Sequence, residues 1–134
     1  MISSGAFNYI NVLEKATDAS WTRNALISNN IANVDTPGYK RKDVTFEAYL
    51  KRAVSGGSSL DDEIANADLS ELTATTFVDY ANVDYRLDGN NVDIDTENVN
   101  LAENQIKYNG LMNSITQEFQ NLQLVMKSYD RLFE

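Results

Sequence analysis

A chain of 134 residues, 43% of them hydrophobic, fits one modest domain; it has no cysteine or histidine, which removes disulfides, thiol nucleophiles, the usual zinc sites and the common neutral-pH general base. The net charge of −9 is unevenly placed: residues 1–60 carry about +2, residues 61–100 about −10 and the remainder about −1. That acidic block repels nucleic acid, and no basic stripe with interleaved aromatics stands elsewhere to bind it.

At the N-terminus, Met1 to Phe7 lacks the positive region and continuous apolar stretch of a secretory signal, which argues against Sec-dependent export. No window approaches membrane-spanning length. From Phe7 to Asn33 there is no proline or glycine, and Ile10, Leu13, Thr17, Ser20, Asn24, Ile27, Ile31 and Val34 follow a 3,4 spacing that predicts a long helix. The ends of that stripe are apolar and its middle is polar. Val12, Ala16, Ala19 and Leu26 fall on another face, so the helix is expected to meet more than one partner.

The helix should stop before Thr36-Pro37-Gly38-Tyr39, where proline presets the first central position of a type II turn and glycine takes the positive φ of the second. Next comes an extended piece from Lys40, then a short helix containing Phe46, Tyr49 and Leu50. The cluster Lys40, Arg41 and Lys42 reads either as a solvated run or as a contact for acidic residues of another subunit. Residues 54–76 resemble a flexible acidic linker, with a short helix possible between Asp61 and Leu72. Val83, Tyr85 and Leu87 alternate with polar residues, Gly89-Asn90-Asn91 supplies a turn, and Val92 and Ile94 resume the alternation, which predicts a small hairpin.

The final helix carries the strongest periodicity: Leu101, Asn104, Tyr108, Leu111, Ile115, Glu118, Leu122, Val125, Tyr129 and Leu132 keep a 3,4 repeat. Asp95 or Thr96 is expected to cap it, with Asn100 and Glu103 offering a capping box slightly later. The helix is expected to run from Glu97 to Phe133, about 55 Å at the usual rise, with Gly110 inside it costing about 1 kcal/mol relative to alanine. Met112, Phe119, Met126 and Phe133 widen the stripe beyond what one partner helix covers. Burying those four would contribute about 6 to 12 kcal/mol before the entropy of association is subtracted.

Asp93, Asp95 and Glu97 suggest a calcium loop, but neither register beginning at Asp88 or Asp93 has glycine sixth and glutamate twelfth. With no nucleophile–base pair in sight either, no catalytic residue, metal or cofactor is assigned and the chain is not read as an enzyme.

One run stands apart: Ser28-Asn29-Asn30-Ile31-Ala32-Asn33-Val34-Asp35-Thr36-Pro37-Gly38-Tyr39-Lys40-Arg41. Its Asn29 to Asn33 core resembles the signature shared by bacterial flagellar rod and hook subunits. Val34 to Phe46 resembles the basal-body rod proteins of the proximal type, and the likeness continues through Asp88 to Glu97 and Leu101 to Tyr108. The resemblance implies a structural subunit of the proximal rod. It would be exported by the flagellar type III apparatus and would polymerise into a hollow shaft in the periplasm. Implied partners are copies of itself, other rod proteins, and ring and export-gate proteins at the rod base. The alternative is a binding module acting as an export adaptor or rod-to-ring junction.

The expected fold is mainly α, with long terminal helices paired as a coiled-coil-like domain and a short extended hairpin and loop insertion between them. The expected division is 1–36 for the first helix of a rod core domain, 37–96 for the turn, linker and hairpin, and 97–134 for the second helix. Asn29, Asn30, Ile31, Ala32, Asn33, Thr36, Pro37, Gly38 and Tyr39 form the expected assembly motif, the asparagines acting as hydrogen-bonding registers between neighbours. Helix packing is assigned to Ile10, Leu13, Ile27, Leu101, Tyr108, Leu111, Ile115, Phe119, Leu122, Val125, Met126 and Tyr129.

Overall fold

The computed structural model describes residues 5–82 and 86–133. Its elements in chain order are α1 (Gly5–Ala32), β1 (Lys42–Thr45), α2 (Glu47–Ala53), α3 (Leu60–Asn66), β2 (Thr75–Val78) and α4 (Ile94–Asp130). At the usual rise, α1 is about 42 Å long and α4 about 55 Å.

The two long helices pair antiparallel. Asn30 lies against Glu97, Ser20 against Asn104, and the Trp21 and Tyr108 rings sit 6.0 Å apart. Farther along, Phe7 shares a groove with Phe119 and Met126. Because α4 is the longer helix, its last turns run past the described part of α1. The polar middle of the α1 stripe is used inside this seam. Ser20 Oγ donates to Asn104 Oδ1 (3.0 Å) and Asn104 Nδ2 donates back to the Ser20 carbonyl (2.8 Å), with both residues buried. A reciprocal buried pair of this kind penalises every other helix register, since a slip leaves both groups unpaired.

The second face of α1 finds its partner in the same chain. Val12 and Ala19, flanked by Ala16 and Leu26, pack on Val44, Phe46, Ile64 and Leu72, with Tyr49 and Leu50 at the edge. The linker expectation for residues 54–76 is therefore corrected: Ile64 and Leu72 belong to the core, and Leu72 is only 1% exposed. Ser59 caps α3 by accepting from the Asp62 amide, and the acidic residues Asp61, Asp62 and Glu63 fall in its first turn, where the helix dipole favours them. The Glu63 carboxylate accepts from the Gly56 amide (2.8 Å) and the Ser58 amide (3.0 Å), so the serine–glycine stretch is tied down. The short helix expected between Asp61 and Leu72 is present as α3, and what the acidic composition hid is its place in the core.

The strand pairing is also corrected. An antiparallel two-stranded sheet is present, but it pairs β1 with β2, Lys42 opposite Val78 and Thr45 opposite Thr75. Of the expected hairpin, Val83 and Tyr85 lie outside the described residues. The Gly89 turn forms, with φ +75° and its amide donating to the Arg86 carbonyl. Beyond it, Val92 is buried without joining a strand and Ile94 begins α4. This segment pairs with the turn after α1 instead of with itself: Gly38 N donates to Asp88 O (2.8 Å) and Asn91 N to Tyr39 O (3.3 Å).

Helix α4 is continuous through Gly110, and it starts earlier than expected. Asp93 is the cap, accepting from the Asp95 amide and from both the amide and hydroxyl of Thr96; Asp95, Thr96, Asn100 and Glu103 are already helical.

Candidate functional site: the asparagine junction and the open helix face

At one end of the molecule the turn after α1, the start of β1 and the start of α4 converge on three asparagines. In the β1–β2 ladder, Asp79 N donates to Arg41 O and Asp43 sits opposite Phe77, which turns the amide and carbonyl of Lys42 toward α1. Asn30, fully buried, meets them as a neighbouring strand would. Its Oδ1 accepts from Lys42 N (2.9 Å) and its Nδ2 donates to Lys42 O (2.9 Å). The remaining capacity of the same amide goes to Glu97 Oε2 (3.2 Å) and to the Tyr39 hydroxyl (3.3 Å). All four hydrogen-bonding positions of Asn30 are filled within the chain.

Asn90, equally buried, donates through Nδ2 to the carbonyls of Asn33 (2.9 Å), Val34 (3.0 Å) and Thr36 (2.9 Å), the groups left over where α1 ends. Its Oδ1 accepts from Val92 N (2.7 Å). Asn91 holds Arg41 N through Oδ1 (2.8 Å) and the Asp79 and Ala81 carbonyls through Nδ2. The asparagine-rich helix end is thus closed by a second pair of asparagines 57 residues away.

Arg41 is the charged hub. Its guanidinium donates to Glu97 (2.6 Å), Asp79 (2.7 Å) and Asp43 (3.2 Å). Burial by itself would lower its pKa, but the bonds to Glu97 and Asp79 outweigh that and hold it above the ordinary arginine value. The Ala81 amide, together with Arg41, keeps the Asp79 carboxyl below its usual range. Of the basic cluster, then, Arg41 meets carboxylates of its own chain's acidic block, and Lys40 Nζ donates to the Gly89 carbonyl. Neither half of the earlier alternative, solvated run or contact with another subunit, describes Arg41. A second fork, Arg23, donates to Asp43 (3.0 Å), to both Glu47 oxygens (2.5 and 2.8 Å) and to Val44 O (2.7 Å). Lys107 of α4 joins the same Glu47 (2.9 Å). The Arg23 bond, followed by that of Lys107, depresses the Glu47 pKa strongly.

The residues of the expected assembly motif separate by role. Asn30 turns inward, so its assignment as a register between neighbours is corrected: no hydrogen-bonding capacity is left for one. Asn29 and Asn33 finish α1 through Asn33 Nδ2 donating to Asn29 O (2.8 Å), and Thr36 Oγ1 donates to Asn33 Oδ1 (3.1 Å). Gly38 takes φ +73°, and Tyr39 N closes the turn on Thr36 O (3.2 Å). Ile31 and Tyr39 are half-buried, whereas Ala32, Thr36, Pro37 and Gly38 are exposed. Of the helix-packing residues, Ile10 and Ile27 are buried, and Leu13, Leu101, Tyr108, Leu111, Ile115 and Leu122 are half-buried. Phe119, Val125, Met126 and Tyr129 are exposed. Asn90, Asn91, Arg23 and the inward role of Glu97 were missed; the signal available was an Asn-Asn pair beside a glycine turn, read only as turn chemistry.

The opposite end is apolar and open. From Phe119 onward, Leu124, Val125, Met126, Tyr129, Leu132 and Phe133 are each more than half exposed, and the Tyr129 and Phe133 rings meet at a tilt of 51° with centroids 4.8 Å apart. Beside them a groove of about 690 Å³ is lined by Phe7, Phe119, Leu122 and Met126 among others. A contiguous patch of this kind marks an interaction surface. Among the described residues no helix is long and apolar enough to cross a membrane.

A family model described as flagella basal body rod protein matches residues 10–40, the span from the α1 stripe to the turn. A protein named flagellar basal body rod protein FlgB from Bacillus subtilis is 35% identical over 115 residues, covering 85% of this chain and 89% of its own length. Its namesake from Borrelia hermsii is 34% identical over 128 residues, covering 88% and 95%, and that from Escherichia coli 28% over 128 residues, covering 86% and 90%. These names denote structural rod components, not enzymes. The chain belongs to the FlgB family of flagellar basal body rod proteins.

Proposed function

We propose that this chain is a subunit of the proximal rod, polymerising through its terminal helices into the wall of a hollow shaft. The observation that carries the reading is the set of large apolar side chains left uncovered on distal α4 and just after it, Phe119, Val125, Met126, Tyr129, Leu132 and Phe133, in a chain whose family is named for the rod. In this reading Phe119, Val125, Met126 and Tyr129 meet neighbouring subunits, while Asn30, Asn33 and Gly38 close the opposite end of the helix pair and fix how the two helices meet there. Neighbours are copies of the chain, other rod proteins, and ring or export-gate proteins at the rod base. Passage through the flagellar type III apparatus to a periplasmic rod fits the small domain, which has little to unfold.

Deleting residues 122–134 tests it: export of the truncated chain should persist while rod assembly and motility are lost. Motile cells with complete filaments would defeat the proposal. Cysteine crosslinks from positions 119–126 that reach only one non-rod protein would favour the adaptor or junction alternative.

A further inference from the structure

We infer that Gly110 is a hinge that divides α4 into an anchored half and a half that swings as a unit. The polar ties from α4 to the rest of the molecule are unevenly distributed. Glu97 binds Arg41 and Asn30, Asn104 interlocks with Ser20, and Lys107 reaches Glu47. Trp21 adds its ring against Tyr108. Past Lys107, every side-chain hydrogen bond of α4 among the described residues stays within α4, and no ion pair leaves it. Leu111, Ile115, Glu118 and Leu122 are half-buried in the distal half, and Phe7 of α1 shares a groove with Phe119 and Met126, so what holds that half to α1 is apolar packing without polar ties. Helix α1 does not share this freedom: its other face is packed on the sheet layer, and Tyr9 OH donates to Asp61 of α3.

Gly110 lies at the boundary between the two regimes. A Cβ added there would meet nothing within 4 Å, and Gly110 is not among the residues with positive φ, so neither close packing nor backbone conformation requires glycine. What remains is its effect on the backbone, which it frees more than any other residue does. One turn later, Ser114 Oγ donates to the Gly110 carbonyl (2.9 Å), and Thr116 Oγ1 does the same to Met112 O (2.9 Å). Glycine–serine pairs and hydroxyls bonded back to the preceding turn are recurrent causes of helix bending. Weak backbone and the loss of polar ties thus coincide at one place, and residues 111–130 leave α1 together while residues 94–107 stay fixed. The inference does not depend on the rod reading.

Distance measurements between spin labels on the free chain, dilute enough to be monomeric, test it, and the lack of native cysteine makes labelling clean. Cysteines replacing Asn29 and Asp95 span the anchored half; cysteines replacing Glu14 and Gln117 span the distal half. The first pair should give one narrow distance and the second two populations. Gly110→Ala should shift the second pair's open-to-closed ratio about fivefold toward closed, the size of the glycine-to-alanine difference in a helix. Hydrogen exchange supplies an independent readout: protection should step down at residue 110 and be restored across 111–130 in Gly110→Ala. A single narrow distance for both pairs, insensitivity to Gly110→Ala, or protection that fades gradually from the C-terminus with no step would overturn the hinge.

Discussion

Asn30 shows how much one side chain can carry when its amide is saturated. Shortening it to alanine leaves the amide and carbonyl of Lys42 and one oxygen of Glu97 without that partner in a buried setting, and unsatisfied buried polar groups cost about 1 to 3 kcal/mol each. Partial hydration offsets some of this, so Asn30→Ala should destabilise the chain by about 3 kcal/mol in urea unfolding, with Asn29→Ala, an exposed position, costing well under 1. Equal losses at the two positions would contradict the assignment. Glu97 is the charged counterpart: it is 1% exposed, and Glu97→Ala removes one of the three carboxylates on Arg41 and an acceptor for Asn30, which should cost about 3 kcal/mol. Sequence pattern located Asn30 in a distinctive motif but not its direction. The direction Asn30 faces is decided by Lys42 in β1 and by Glu97, 67 residues away in α4, and no local periodicity reports that.

Among the elements, the long helices were legible because 3,4 spacing survives any tertiary context, and that they pair followed from the apolar stripes; the antiparallel sense comes from the contacts of Asn30 with Glu97 and Ser20 with Asn104. The turn at Pro37-Gly38 was legible because its chemistry is local. Gly38→Ala should cost about 1 kcal/mol through the positive φ alone, since open space surrounds the position. The cap of α4 was misplaced by two to three residues, because Asp93, Asp95 and Thr96 are all chemically able to cap and only the chain path selects among them. Asp93→Ala should lower stability by about 1 kcal/mol while Asp95→Ala changes it little, a contrast that thermal unfolding reads directly. Residues 54–76 were misread for a different reason: serine, glycine and acid dominate the composition, and the two apolar residues that matter, Ile64 and Leu72, are too few to show a period. Their burial is decided by the second face of α1.

Viewed whole, the molecule is closed at the asparagine junction and open along distal α4. The closed end depends on carboxylates being ionised. Glu47 and Asp79 have pKa values below their ordinary 4.5 and 3.8, so the stability they contribute is fully present above about pH 5 and is lost as the pH falls through their folded-state values. Unfolding midpoints should therefore be flat from pH 6 to 8 and decline below pH 4, and Arg23→Met should shrink the decline by removing the cause of the Glu47 shift. The open end depends on apolar area instead and should not share this acid sensitivity. The central claim is that the open face is uncovered in the free subunit and covered in the assembled rod. Thiol labelling of a Met126→Cys chain measures this most directly, because Met126 lies on that face and no other cysteine is present. The account predicts fast labelling of the purified subunit and protection in isolated basal bodies; equal reactivity in the two states, or protection already in the free subunit, would contradict it.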